Sequence, residues 1–506
     1  MSASVWIANA VHVLRGTRAR TADRAVHVTR ALRAPGVLAL AVAGGAAAAI
    51  CVLGGCANEP RISRPEVVLP AQFTPASAAA AAPADATLGS GDWWALYGDG
   101  TLNEIVSAAL RNNTDLRIAV ARVDETVAVL GLTRAAQWPS VDLGASATRS
   151  RISTLNGQPA PPGGPESTTH RVALATAFEV DLWGRLRNAS AGAQQQLLAA
   201  TYARDTVQLA LTASATQTYF GLRSLDAQLA VNEAQIRSRV DTLRLVERRA
   251  AGGVASALDA ALARTALAAT RSQRPELQRQ RALLEHQLAQ LTGQPGMAFA
   301  AATQPLNIPP GLPAGLPAQL LERRPDVRQA EVQLAAAQIQ VEVNRAAIWP
   351  TITLTGSLGS QSESLTDLLK TGAQIWSIGP AMLVSLFDAG RSAARTEQAR
   401  ALAEQAAIGY QRAALNAFRE TSDALVGIEQ AALQEVEVDV QRREANDAQR
   451  IANRRFEAGY SGFLDVLEAQ RGVQDAELAW VRVRQARLDA SVALIKALGG
   501  GWAAPK

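Results

Sequence analysis

The 506-residue sequence predicts a mainly α-helical protein with four amphipathic β-strands, built from one unit used twice. Three observations predict this. Segments recur at a near-constant offset. Two very long stretches contain no proline. Runs of period-two alternation precede each of those stretches. Leu110, Asp115, Arg117 and Ala119 match Leu321, Asp326, Arg328 and Ala330 at a shift of 211. The same shift carries Arg134-Ala135-Ala136 and Trp138-Pro139 onto Arg345-Ala346-Ala347 and Trp349-Pro350. Further on the shift is 206. It takes Gly184-Arg185 to Gly390-Arg391, Arg248-Arg249 to Arg454-Arg455, Gly253 to Gly459 and Leu258-Asp259 to Leu464-Asp465. A repeat of roughly 200 residues is therefore expected, with a loop where the shift changes, between residues 150 and 184.

Each unit opens with a helical stretch, expected over Leu102–Gln137 and Pro317–Ile348. Each ends at Trp-Pro, because proline disfavours helix for the residue before it. Alternation follows. Val141, Leu143, Ala145 and Ala147 alternate with Asp142, Gly144, Ser146 and Thr148. Ile352, Leu354 and Leu358 alternate with Thr353, Thr355 and Ser357. After a polar loop, expected over Asn156–Thr169 in the first unit, Val172, Leu174, Phe178, Val180 and Leu182 repeat the pattern. Trp376, Ile378, Met382, Val384 and Leu386 do so in the second unit. These runs read as four strands of about 10 residues in two hairpins, about 140–182 and 351–387. Arg185–Ala251 and Arg391–Ala458 then read as helices of about 100 Å each at 1.5 Å per residue. Each stops at glycine, and a returning helix of about 35 residues runs back antiparallel.

Four strands are too few for a membrane barrel, since the smallest have about eight. Three chains supply twelve, which can close. A trimer with a helical cylinder in line with the barrel is the expected assembly.

The N-terminal region carries a second signal. An apolar run, Val37–Leu53, follows Arg30 and Arg33 and ends in Leu53-Gly54-Gly55-Cys56. That is the layout of a secretory signal cut before a cysteine, and it resembles a bacterial lipobox. Residues 1–55 are expected to be a signal peptide, of which residues 1 to about 28 add nothing a signal needs. Cys56 would carry lipid, each buried methylene contributing about 0.8 kcal/mol of membrane affinity. Removing residues 1–55 lowers Lys+Arg from 50 to 44 and Asp+Glu from 45 to 44. A nearly neutral chain loses the case for a nucleic-acid partner. With Cys51 removed and Cys56 lipidated, no disulfide or cysteine metal site is expected, and no metal or cofactor other than the lipid. No nucleophile elbow, phosphate-cradling loop or metal-spaced cluster points to an enzyme.

Together these features divide the chain into 56–91 (lipidated extended linker), 92–303 (first repeat), 304–317 (proline-rich linker), 318–500 (second repeat) and 501–506 (tail). The segments DWWALYGDGTLNEIVSAALRNNTDL at Asp92–Leu116, LLERRPDVRQAEVQLAAA at Leu320–Ala337 and RRFEAGYSGFLDVLEAQR at Arg454–Arg471, with the two Trp-Pro strand entries, resemble the TolC/OprM-type outer membrane factors, in their NodT-like efflux lipoprotein branch. The resemblance covers about Trp93–Gly500. It implies a homotrimeric conduit with a 12-stranded β-barrel in the outer membrane of a Gram-negative bacterium and an α-barrel crossing the periplasm. It implies a periplasmic adaptor and an inner-membrane, proton-driven pump as partners, and a passive exit duct for drugs or other toxic small molecules. A protein-secretion duct has the same fold, and a periplasmic adaptor lipoprotein lacks the repeated strand hairpins.

The resemblance also implies site residues. It places the periplasmic gate at Leu464, Asp465 and Glu468, with Leu258 and Asp259 as their repeat equivalents. Glu468 stands where one branch has its gate acid and Asp465 where the other has. The plainer reading of these acids is a solvated helix face. Gly253, Val254, Ser256, Gly459 and Ser461 fall at the adaptor-docking turns, where turn chemistry alone also accounts for glycine. Arg249 and Arg455 either favour a helix C-terminus or pair with the gate acids. Trp138 and Trp349 fit interfacial aromatics or corner packing. Trp93 and Trp94 read as packing anchors.

Overall fold

In the computed structural model the described residues are 62–70, 92–153, 155, 164–301, 308 and 322–500. The chain divides into two compact units, residues 1–59 with Leu182–Gly184, and Pro60–Asp181 with Arg185–Lys506. All elements below belong to the second. A 3₁₀ turn, Trp93–Tyr97, leads to α1 (Gly100–Asn112), α2 (Thr114–Ala135), β1 (Ser140–Arg151), β2 (Glu166–Glu179), α3 (Arg185–Ala251) and α4 (Ala257–Leu291). The second half holds α5 (Pro325–Ala346), β3 (Thr351–Ser362), β4 (Gln374–Leu383), α6 (Arg391–Glu457) and α7 (Phe463–Ala497). The repeat is carried into three dimensions. Both ends of α2 and of β1 map onto those of α5 and β3 at the shift of 211. Both ends of α3 and α4 map onto those of α6 and α7 at 206.

Three expectations need correction. The first helical stretch is two helices, because the Asn113 side chain accepts from the N–H groups of Asp115 and Leu116 at 2.9 and 3.1 Å and starts a new helix. Its repeat equivalent is Arg324, followed by Pro325 at the first helical position, where a missing N–H costs nothing. The strand β2 begins at Glu166, inside the expected loop, because its register with β1 extends to the pair Arg151–Glu166. The second strand of each hairpin stops earlier than expected, at Glu179 and Leu383, short of Leu182 and Leu386. Beyond them Asp181 and Asp388 turn their carboxylates to the first N–H groups of α3 and α6, so those residues serve helix starts. Cys56, the Pro-rich linker apart from Ile308, and the 501–506 tail lie outside the described residues.

The strands form one antiparallel sheet in the order β1-β2-β3-β4, so the two hairpins are joined by pairing between β2 and β3. The register sorts the two faces. Leu143, Leu174, Leu358 and Trp376 stand in one row across all four strands. Asp142, Ala175, Ser357 and Ser377 form a row on the other face, where the last two hydroxyls are 2.8 Å apart. Edge strands β1 and β4 are unpaired on their outer sides. Trp138 and Trp349 are exposed at the strand entries rather than packed into a corner.

The main core gathers Trp93, Trp94 and Tyr97 with Ile105 and Val106 of α1, Tyr219 and Phe220 of α3, Leu288 of α4, and Val492 and Ile495 of α7. Trp93 and Trp94 are anchors, as expected, meeting edge-to-face at 5.9 Å. Tyr97 stacks edge-on against Phe220 at 4.9 Å, and its hydroxyl lies 2.6 Å from that of Ser491. Each fully buried aromatic of this kind contributes about 1.5–3 kcal/mol. Among the described residues no helix is long and apolar enough to cross a membrane.

The junction of the hairpins depends on Gly359. A Cβ there would overlap the carbonyl oxygen of Val172 and lie 2.5 Å from the Cα of Ala173. Gly359→Val should therefore lower the thermal unfolding midpoint of the purified protein, with a cost of about 1–3 kcal/mol or more. Gly379→Val, at a position open to space, should leave the midpoint nearly unchanged. Equal midpoints for the two variants would show that β2 and β3 do not pack this closely.

Candidate functional site at the helix-hairpin tips

The candidate gate and docking residues all lie where α3 turns into α4 and α6 into α7. Both turns end their helices alike. Val254 donates to the Arg249 carbonyl at 2.8 Å and Gly253 to that of Ala250 at 3.0 Å. Tyr460 and Gly459 repeat this toward Arg455 and Phe456 at 2.8 and 3.1 Å. This closure needs a left-handed residue, and Gly253 and Gly459 supply it with φ of 73° and 81°. It leaves Val254 and Tyr460 exposed at the ends of the hairpins. Ser461 keeps its hydroxyl enclosed and without a partner.

The helices that leave the turns differ. Ser256 caps α4 by accepting from Asp259 N–H at 3.1 Å, and the Asp259 carboxylate accepts in return from Ser256 N–H at 3.0 Å. Asp259 thus has a helix-capping role. The equivalent cap of α7 is Gly462, which has no side chain to do this. Asp465 is consequently left without a capping partner on the surface of the first turn. Leu464, Asp465 and Glu468 lie exposed on one side of α7, while Phe463, Val466 and Leu467 are buried on the other. Glu468 has Arg471 at 3.5 Å. Leu258, like Leu464, is about two-thirds exposed.

The two tips are held side by side by one apolar cluster. Val246, Ala260 and Ala263 from the first hairpin pack with Phe456, Phe463, Val466 and Leu467 from the second. Arg249 fastens the cluster. Its Nη1 donates to the Phe456 carbonyl at 2.6 Å, and its guanidinium lies 4.6 Å from the centre of the Phe456 ring. So Arg249 serves the C-terminal end of α6, and its recorded partners do not include a gate acid. Higher up, the contact between α3 and α7 becomes polar. Gln470 donates to Thr242 at 2.8 Å, and Arg239 donates to Gln474 at 3.2 Å. Arg239 is buried, and loss of solvation pushes its pKa down, with Arg471 nearby adding to the effect. This seam was missed from sequence. Gln470 and Gln474 fall on the buried stripe of α7 at positions where an apolar residue would be expected, which was the available signal.

The sequence and the fold match known proteins. The outer membrane efflux protein family matches this chain over residues 105–294 and 316–500. The pyoverdine export outer membrane protein OpmQ of Pseudomonas aeruginosa is 33% identical over 462 residues, covering 90% of this chain and 96% of that protein. The solvent efflux pump outer membrane protein SrpC of Pseudomonas putida is 33% identical over 475 residues, covering 90% and 97%. Among solved structures, the CmeC outer membrane channel of Campylobacter jejuni aligns with a TM-score of 0.82 at 25% identity, covering 88% of this chain and 95% of that one. The open state of the MtrE outer membrane channel of Neisseria gonorrhoeae aligns at 0.77 and 27% identity, covering 88% and 98%. The chain belongs to the outer membrane efflux protein family. It is an efflux channel protein of the Gram-negative outer membrane and not an enzyme.

Arg249 predicts a local effect. A hydrogen bond from a charged group contributes about 1.5–3 kcal/mol. Arg249→Ala should accelerate amide hydrogen exchange at residues 452–464 about tenfold or more. Arg455→Ala, the repeat-equivalent change, should leave that segment unaltered. No difference between the two variants would show that Arg249 does not fasten the tips.

Proposed function

We propose that three copies of this chain form the passive exit duct of a tripartite efflux pump, carrying small toxic molecules delivered by an inner-membrane, proton-driven transporter through a periplasmic adaptor. The observation that carries this reading is the open sheet. It has one apolar face and two unpaired edges, and exposed backbone groups in hydrocarbon cost several kcal/mol each. Twelve strands from three chains remove every edge. Strands of 10 to 14 residues suit a tilted bilayer crossing. A second observation supports the same closure. Ile408, Leu415, Val426, Leu433, Val440 and Ile451 are each 41–58% exposed. At 100° per residue they fall within about 40° of one another and make a single apolar stripe along α6. On α2, Ile118, Val129 and Leu132 make a similar exposed stripe. Packing one chain's stripe on the next buries both. The names of the relatives, pyoverdine export and solvent efflux, support small molecules as cargo.

Within this reading Leu464, Glu468 and Asp465 form the constriction, as apolar and acidic rings at the tip, with Leu258 and Asp259 beside them. The turns at Gly253, Val254, Ser256, Gly459 and Ser461 meet the adaptor. Cys56 carries N-acyl and diacylglycerol chains that hold the mature N-terminus in the outer membrane.

Detergent-purified protein should show three-fold symmetry in electron micrographs, and a monomer or dimer of closed barrels would refute the assembly. Leu464→Ala with Glu468→Ala should raise single-channel conductance in planar bilayers and weaken cation preference, since a ring of carboxylates attracts cations. Unchanged conductance and selectivity would place the constriction elsewhere. Intact mass should show acyl chains that Cys56→Ser removes; lipid persisting in that variant excludes Cys56 as the anchor.

A further inference from the structure

The two repeats are not equivalent in one groove. In the second repeat an extended segment, Ile62–Pro70, lies against α5 and α6. Ser63 N–H donates to the Gln338 side chain at 2.9 Å, and that side chain donates back to the Ser63 carbonyl at 2.7 Å. Arg64 pairs with Glu331. Val67 packs on the cluster of Val327, Leu334, Tyr410 and Ala417. This groove holds a peptide strap through two backbone contacts, one ion pair and one apolar anchor.

The repeat shifts locate its counterpart between α2 and α3. Val327 corresponds to Leu116, Arg328 to Arg117, Glu331 to Val120, and Tyr410 to Arg204. Those four residues of the first repeat line an open cleft of about 640 Å³, together with Leu110, Arg111, Ala121, Asp124 and Gln208. Its floor is apolar, like that of the occupied groove. Its charge is reversed. Where the strap's Arg64 finds Glu331, the cleft presents Val120 flanked by arginines. Arg204 is held by Asp205 at 2.6 Å. Arg111 and Arg117 appear in none of the ion pairs among the described residues, and Asp124 is the one carboxylate in the lining. Val127, equivalent to the strap-binding Gln338, is apolar and half exposed, so this repeat lacks the side-chain amide that holds the strap's backbone.

We propose that this cleft is a docking groove for an extended acidic segment of a partner polypeptide, held by an apolar anchor and by ion pairs of sign opposite to the strap's. A cleft of this size accommodates several residues of extended chain. The two unpaired guanidiniums supply charge-assisted bonds to carboxylates. Outside the described residues this chain carries three acids, Asp23, Glu59 and Asp85, each far from the next in sequence, so those segments offer no acidic stretch. The proposal rests on the fold of one chain and is independent of the duct reading.

The test uses the detergent-purified full chain and fluorescence anisotropy. The probe is a fluorescein-labelled nonapeptide of residues 62–70 carrying R64E, compared with the same peptide bearing the natural arginine. The R64E peptide should saturate at one per chain and bind about tenfold tighter than the natural peptide. R111E with R117E should weaken the R64E peptide at least about tenfold, and R111Q with R117Q should do so in part. E331Q should leave its affinity unchanged, because the strap's own groove is not the site. Planar-bilayer conductance of R111Q/R117Q should match the unaltered protein, and its elution on gel filtration reports folding. Absence of saturable binding at millimolar peptide, affinity unmoved by both arginine variants, or affinity that follows E331Q would each overturn the proposal.

Discussion

Everything in this chain is arranged around the fact that its sheet cannot be finished from within. Four strands paired in the order β1-β2-β3-β4 leave one side of β1 and one side of β4 with their N–H and C=O groups unpaired. In water such edges are a liability, and in hydrocarbon they are prohibitive. The apolar row from Leu143 to Trp376 gives the sheet a face suited to hydrocarbon. The helices inherit the consequence. If strands from several chains close into one ring, the helices hanging from them must close as well. The stripe from Ile408 to Ile451 on α6 is the helical form of the same incompleteness. Both long helices are 67 residues and both returning helices 35, so the two repeats end at one level.

That common level is what makes the tip a candidate for control. The helices arrive in register and are fastened there by few contacts. These are one apolar cluster, the Arg249–Phe456 link and a polar seam above it. Of the polar contacts between α3 and α7, the neutral Gln470–Thr242 bond exchanges for water at about 0.5–1.5 kcal/mol and the charged Arg239–Gln474 bond at about 1.5–3 kcal/mol. An apolar interface would resist separation more strongly. The tip therefore combines a fixed register with a weakly held joint. The cap difference adds to this. Ser256 retains Asp259 in the first hairpin, whereas Gly462 releases Asp465 in the second. One replacement of serine by glycine thus turns a structural carboxylate into a surface charge.

Much of the architecture was legible in the sequence because periodicity and repetition are backbone-level signals. The absence of proline from Arg185 to Ala251, ending at Gly252-Gly253, located α3 to the residue. The alternation from Val141 to Ala147 identified β1 and its outward face. The break at Asn113 was not legible as a break, because Asn112-Asn113-Thr114 is tolerated within helices and its capping depends on where the chain turns. The pairing of β2 with β3 was invisible because it joins residues far apart in sequence, such as Leu174 and Leu358, 184 positions apart. At the tip, the shared side of Leu464 and Glu468 followed from their spacing of four, and their candidacy from the family resemblance. The Arg249 link did not, since its partner is a backbone carbonyl, which carries no side-chain signature. The division of labour between Asp259 and Asp465 was hidden for the same reason. It turns on a cap three residues upstream, not on the acids themselves.

Duplication also explains where the two halves differ. A duplicated unit starts with identical grooves, and each groove between a short helix and a long one has an apolar floor. In the second repeat that floor is covered by Ile62–Pro70, and the neighbouring residues suit the cover. Glu331 faces Arg64, and Tyr410 closes the floor beneath Val67. In the first repeat the same two positions are Val120 and Arg204, and the strap would find neither its ion pair nor its aromatic platform. The chain has only one N-terminal segment, so only one of two equivalent grooves can be covered by it. The other must tolerate exposure or take a different cover. Arg111 and Arg117 make bare exposure a poor account of that groove. An uncovered apolar floor needs only solvating groups of either sign, whereas three arginines and a single carboxylate, Asp124, line this one.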